Sequence, residues 1–291
     1  MIYNAPVRSF VRLTLYVCWI FFMIPIQAAA LLLRSRMAER LPLIVHRVVV
    51  WLLDAKVAVK GEQCKEGAVL FVSNHCSYAD ISIIGAHIRG CFVAKAEVAK
   101  WPLFGICAKL SRTVFIDRRA RYARRQAEEM KRRFLRGDRL IFFAEGTTSD
   151  GNRVLPFRSS LFATAEIEIE GKPVQVQPVS IAYTRLDGIP MGRHFRPFFA
   201  WYGDMDMFSH LWGIVGVGRP TVVLEFHQPV TIRDFADRKA LAAHCHAVVA
   251  AGVASALSGR PQPPLPSGGG KSGAPLVPPP ATDAPATPQP A

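Results

Sequence analysis

The run LTLYVCWIFFMIPIQAAALLL, residues 13 to 33, contains no charged side chain. As a helix rising ~1.5 Å per residue, it covers about the ~30 Å of a bilayer's hydrocarbon core. Pro25 would kink such a helix without forbidding it. Arg8 and Arg12 precede the run, and Arg34, Arg36, Arg40 and Arg47 lie beyond it. The cationic flank after the run favours placing the downstream chain on the cytoplasmic side of an inner membrane. Ala28 to Ala30 offer the small residues of a cleavable secretion signal, but the apolar run is long for one. Residues 1–55 are therefore expected to form a membrane anchor. Its second segment, LPLIVHRVVVWLLDA at 41 to 55, either lies along the interface or packs on the domain after it.

Six cysteines, at 18, 64, 76, 91, 107 and 245, are spread through apolar surroundings without a Cys-x-x-Cys pair. That distribution fits reduced thiols in a cytoplasmic compartment. His244-Cys245-His246 is dense in ligand types but sits in a helical stretch where neighbouring side chains diverge, so no metal site is expected.

From residue 56 the pattern changes. Short β-branched or aromatic runs (KVAVK, AVLFVSN, CFVAKAE, TVFIDR, RLIFFAEG, VQVQPVSIAY and TVVLEFH) alternate with helix-like segments. This alternation predicts an α/β domain over 56–260, with a central mixed sheet flanked by helices. After TVFIDR, the residues Ala123, Ala127, Met130 and Phe134 form a stripe at helical spacing, and Gly137 ends the helix. Beyond Arg260 the chain becomes rich in Pro, Ala, Gly and Ser, so 261–291 is expected to be a disordered tail.

The formal net charge is +14. Residues 112 to 139 hold eleven basic side chains against four acidic ones, about half of that excess. A basic segment of this kind suits an anionic lipid surface, an acidic carrier protein or nucleic acid. No nucleic-acid module is recognisable, and an anchor is a poor companion for one, so no nucleic-acid partner is expected.

Three stretches end predicted strands: Asn74-His75-x-x-x-x-Asp80, Phe115-Ile116-Asp117-Arg118, and Glu145-Gly146-Thr147-Thr148. Strand ends along one rim of an α/β sheet are where such folds place ligands. Taken alone, a His five residues before an Asp is as well explained by a satisfied histidine in a turn. Convergence of the three stretches on one cleft lifts it above that reading. Histidine is suited to take a proton from a weakly nucleophilic hydroxyl, and a carboxylate on its other ring nitrogen would set the tautomer. Cys76 is a rival nucleophile, although side chains adjacent in an extended turn diverge from each other.

Over roughly residues 60 to 235 these motifs resemble the glycerolipid acyltransferases, typified by 1-acyl-sn-glycerol-3-phosphate acyltransferase. The resemblance implies that His75 is a general base oriented by Asp80. It also implies a lysolipid acceptor, an acyl carrier protein or coenzyme A thioester as donor, membrane lipid as surroundings, and no cofactor. Acceptor binding would fall to Phe115, Ile116, Asp117 and Arg118, to Glu145, Gly146, Thr147 and Thr148, and to Arg158. Arg118 would be a phosphate ligand, since a guanidinium pairs bidentately with phosphate.

The chain departs from the family pattern at one place. The third motif commonly reads Glu-Gly-Thr-Arg-Ser, whereas this chain carries Thr148 where the arginine would stand. A subgroup with EGTTSDG and a stretch like AYTRLDGIPMGR includes acyltransferases for lyso-ornithine lipid, which has no phosphate. Arg118, Arg153 and Arg158 remain to hold a phosphate, so two acceptors are expected candidates: lysophosphatidic acid, giving phosphatidic acid, and lyso-ornithine lipid. A non-catalytic lipid-binding protein on the same fold is the more distant alternative.

Overall fold

The structure, a computed structural model, describes residues 5–117 and 123–260. The expected tail at 261–291 and Arg118 lie outside the described residues. Two helices come first, α1 at Pro6–Leu32 and α2 at Met37–Leu52. Proline at the first helical position suits α1, because its missing N–H has no intrahelical acceptor there.

All seven runs read as strands are strands: β1 (Lys56–Lys60), β2 (Val69–Ser73), β3 (Cys91–Lys95), β4 (Val114–Ile116), β5 (Leu140–Phe143), β8 (Gln175–Leu186) and β10 (Pro220–Phe226). The short pairs β6 (Glu168–Ile169) with β7 (Lys172–Pro173), and β9 (Ile189–Pro190) with the end of β8, escaped the sequence reading. The sheet is mixed, in the order β1-β10-β8-β2-β5-β3-β4. Strands β8, β2, β5, β3 and β4 run parallel, so the ends of β2, β4 and β5 open on one edge. Strand β10 runs against β8 and alongside β1.

Every residue of β2 is buried, which its unbroken apolar run requires of a central strand. Because side chains alternate across a sheet, Val69 and Phe71 join one core while Leu70 and Val72 join the other. The first core includes Ile83 and Ile84 of α3 (Ala79–Gly85) and Ile214 and Val215 of α6 (Met207–Gly216). The second takes Met130 and Phe134 of α5 (Ala123–Leu135) and Leu241 and Cys245 of α7 (Arg238–Ser258). Truncating Phe71 to Ala would cost ~3–5 kcal/mol, since both faces of its strand are covered.

The stripe on α5 is narrower than its spacing suggests. Met130 and Phe134 are buried, but Ala127 is exposed. Arg133 turns inward instead, bonding Glu129 and Asp138. On α7, His244 packs on Phe235 and His246 on Phe157, so the two rings serve different contacts.

Helix α1 is docked lengthwise on the domain. Its first turn is tied to α6: the Ala5 N–H donates to the Gly216 carbonyl, and Arg8 and Arg12 donate to the carbonyls of Val215 and Val217. These terminal carbonyls lack intrahelical partners, and cations at a helix C-terminus also complement its dipole. Farther along, Gln27 Nε2 donates to the carbonyls of Ala38 and of Leu110 in α4 (Phe104–Leu110). The outward face of α1 leaves Phe10, Leu15, Phe21 and Phe22 exposed, and Phe208 of α6 is 73% exposed. Helix α7 is also long and apolar enough to cross a membrane, but its buried residues are part of the domain core.

Candidate active site

The chain leaves β2 through Asn74, whose side chain continues the sheet. Its Oδ1 accepts the Ile181 N–H at 2.9 Å and its Nδ2 donates to the Ile181 carbonyl at 3.0 Å. That clamp delivers His75 at the strand end, with its side chain 16% exposed. His75 Nδ1 lies 2.9 Å from Asp80 Oδ2. An ionised carboxylate only accepts, so Nδ1 is the donor in this bond, which leaves Nε2 as the ring nitrogen free to meet a substrate.

Asp80 is completely buried and surrounded by donors. Oδ2 also accepts the N–H groups of Cys76 (2.8 Å) and Ser77 (2.9 Å), while Oδ1 accepts the Tyr183 hydroxyl at 2.9 Å. Burying a charge is tolerable only when it is hydrogen-bonded in this way. Burial and the neighbouring Asp80 push the Tyr183 phenol well above its usual range, which keeps it a donor. Burial and the same carboxylate push the Cys76 thiol up as well. Its Sγ is buried 3.8 Å from Asp80 Oδ1, in surroundings opposite to those that activate a nucleophilic thiolate.

Glu145 belongs to the same loop system. Only 2% exposed, it accepts the His75 N–H on Oε1 at 2.7 Å and the Leu155 N–H on Oε2 at 2.9 Å. Burial, which outweighs these two donors, pushes its carboxyl up to about 8. Gly146 takes a left-handed φ of 69°, which a side chain would strain. Thr147 is exposed and Thr148 half-buried, and the Ser149 N–H returns to the His75 carbonyl at 2.9 Å. Arg158 Nε donates to the Glu145 carbonyl at 3.2 Å.

The remaining expected residues lie at the end of β4. Phe115 and Ile116 pair with Ala94 and Lys95 of β3, and the Asp117 carbonyl accepts from Gln126. Strands β3 and β4 lie beyond β5, so this motif is separated from the His75 strand by roughly 15 Å of sheet. Thus His75, Asp80, Glu145 and Arg158 are linked directly by hydrogen bonds, Gly146, Thr147 and Thr148 lie in the turn between Glu145 and Ser149, and Phe115–Asp117 lie on the same rim but farther off.

Two side chains escaped the sequence reading. Tyr183 reads as one more apolar position of β8. Phe143, which stacks on the His75 ring, reads as the end of an apolar strand.

A histidine with one nitrogen fixed by a buried carboxylate and the other kept basic can take a proton from a hydroxyl. On this α/β scaffold the arrangement fits an enzyme that activates a hydroxyl. The Acyltransferase family model matches residues 56–182. The lyso-ornithine lipid O-acyltransferase of Brucella abortus is 42% identical over 263 residues, covering 89% of this chain and 98% of that one. The 1-acyl-sn-glycerol-3-phosphate acyltransferase of Neisseria gonorrhoeae is 33% identical over 177 residues, 60% of this chain and 64% of that one. Among solved structures, the 1-acyl-sn-glycerophosphate acyltransferase PlsC of Thermotoga maritima superposes with a TM-score of 0.56 at 25% identity, over 88% of this chain and all of that one. The chain belongs to the lysolipid acyltransferase family.

Proposed function

We propose that the protein moves an acyl chain from an acyl carrier protein or coenzyme A thioester to the free hydroxyl of lyso-ornithine lipid. The observation that carries this reading is Thr148. At the turn beside His75, where the common motif has a guanidinium, the chain presents a neutral hydroxyl. A phosphate monoester loses a strong partner there, whereas a phosphate-free head group loses none. The near full-length likeness to a lyso-ornithine lipid O-acyltransferase supports the same acceptor.

In this reading His75 Nε2 takes the hydroxyl proton as the oxygen attacks the thioester carbonyl. Asp80 holds the ring and balances its charge, help typically worth ~10²–10⁴ in rate. The proton then passes to the departing thiolate sulfur, and the C–S bond is replaced by a C–O ester bond. Cys76 takes no part. Lysophosphatidic acid is the second reading, favoured by the Arg158 guanidinium beside the Glu145 turn.

The exposed apolar face of α1 supports membrane association, and the arginines that follow it favour the cytoplasmic side. Because α1 is tied to the domain from Ala5 to Gln27, we read it as lying against the bilayer rather than crossing it alone.

The test supplies membranes carrying the protein with both lysolipids at equal mole fraction, together with each thioester. Mass spectrometry then reads the product. Ornithine lipid as the main product is expected, and phosphatidic acid as the main product would overturn the acceptor assignment.

A further inference from the structure

One face of the His75 ring is covered. The Phe143 ring lies against it with centroids 3.7 Å apart and planes 11° from parallel. Phe92 stacks behind Phe143 at 6.0 Å, and His46 of α2 meets Phe92 edge-on at 6.2 Å. Phe143 is thus the last ring before the proposed base in a ladder that starts at His46 in α2. Its strand neighbours Leu140, Ile141 and Phe142 are buried core residues, whereas Phe143 is half-buried and faces the rim.

Face-to-face stacking is not the arrangement two neutral aromatic rings prefer, because their quadrupoles oppose each other. The same arrangement becomes attractive once one ring carries positive charge. Charge develops on His75 only while it holds the proton of the acceptor hydroxyl. A contact that strengthens with that charge is stronger in the transition state than in the ground state, which is the condition for raising kcat.

We infer that Phe143 is a positioning residue acting through His75: its ring fixes the imidazole plane, and its π face stabilises the charge His75 takes during proton transfer. The inference rests on His75 being the base. Asp80 meets the charged ring at its Nδ1 edge, and Phe143 meets it at its face. The hydroxyl proton goes to Nε2 as the C–O bond forms, and returns from Nε2 to the thiolate as the C–S bond breaks. Phe143 gains and loses no atom.

The experiment places 4-fluoro-, 3,5-difluoro- and 3,4,5-trifluorophenylalanine at position 143 of the full chain. Fluorine drains the ring face of negative charge and changes its shape little. Both lysolipids are supplied together with acyl thioester. The expected result is a stepwise fall of kcat with each fluorine, reaching roughly 2- to 30-fold, at unchanged KM. The same series at Phe92, one ring removed, should leave kcat flat. A flat series at Phe143, or an equal fall at Phe92, would overturn the π-face role. A parallel His75→Ala variant separates the two readings. If that variant is inactive while the Phe143 series is flat, only the π-face role fails, whereas an active His75→Ala overturns both.

Discussion

Tyr183 donates its hydroxyl to Asp80 Oδ1 at 2.9 Å from a position 103 residues along the chain. A donor to a buried carboxylate contributes ~1.5–3 kcal/mol, and its removal leaves one oxygen of that charge short of a partner. Tyr183→Phe is expected to lower both the melting temperature and kcat, with KM for the lysolipid held. An unchanged kcat would mean that the Cys76 and Ser77 N–H groups orient Asp80 without help.

Asp80→Asn tests the tautomer. The amide brings an NH₂ group into a space where His75, Cys76 and Ser77 all donate. The imidazole is then expected to turn its lone pair toward position 80 and lose its role as base, for a kcat loss on the order of 10³–10⁴. Circular dichroism of the purified variant should remain native. Near-normal turnover would remove Asp80 from the mechanism.

Glu145 makes stability depend on pH in a direction unusual for a carboxylate. Its folded-state value is raised from 4.5 to about 8. Between those two values the folded chain holds a proton that the unfolded chain has lost. Stability is therefore complete below about 4.5, falls as pH rises toward 8, and levels off above it. Melting temperatures across this window should fall by roughly 5–10 °C beyond what Glu145→Gln shows. The Gln variant should be less active throughout, because its NH₂ group opposes either the His75 or the Leu155 N–H. Parallel melting curves for the two proteins would refute the linkage.

Thr148→Arg restores a guanidinium to the turn after Gly146. The ratio of phosphatidic acid to ornithine lipid formed from mixed lysolipids is expected to rise by about tenfold, the scale of one charge-assisted hydrogen bond. A ratio that does not move would place acceptor choice elsewhere than at residue 148.

The strands were legible because each is a short, largely apolar run between turns, β5 (Leu-Ile-Phe-Phe) with no polar residue at all. The His75–Asp80 pair was legible because both members sit in one local turn. Glu145 was found, but its role was not: a motif carboxylate suggests an acceptor contact, while both its oxygens hold backbone N–H groups. Tyr183 and Phe143 were not found, because nothing local distinguishes an aromatic that touches a site from one that fills a core. Arg8 and Arg12 read as flanking charges of a membrane span. In the fold they close the end of α6, a contact more than 200 positions away that no periodicity announces.

The Asn74 clamp has a consequence for biosynthesis. Its partner, Ile181, lies 107 positions downstream, and Tyr183 is farther still. During translation the His75 loop emerges well before either residue exists. Contacts of such long range close late in folding, since loop-closure entropy must be overcome first. A nascent chain, or a fragment ending before β8, therefore carries the histidine and its aspartate without the frame that sets them. The His75–Asp80 pair thus takes its full hydrogen-bonded frame only once β8 has joined the sheet, and any chemistry that depends on that frame starts no earlier.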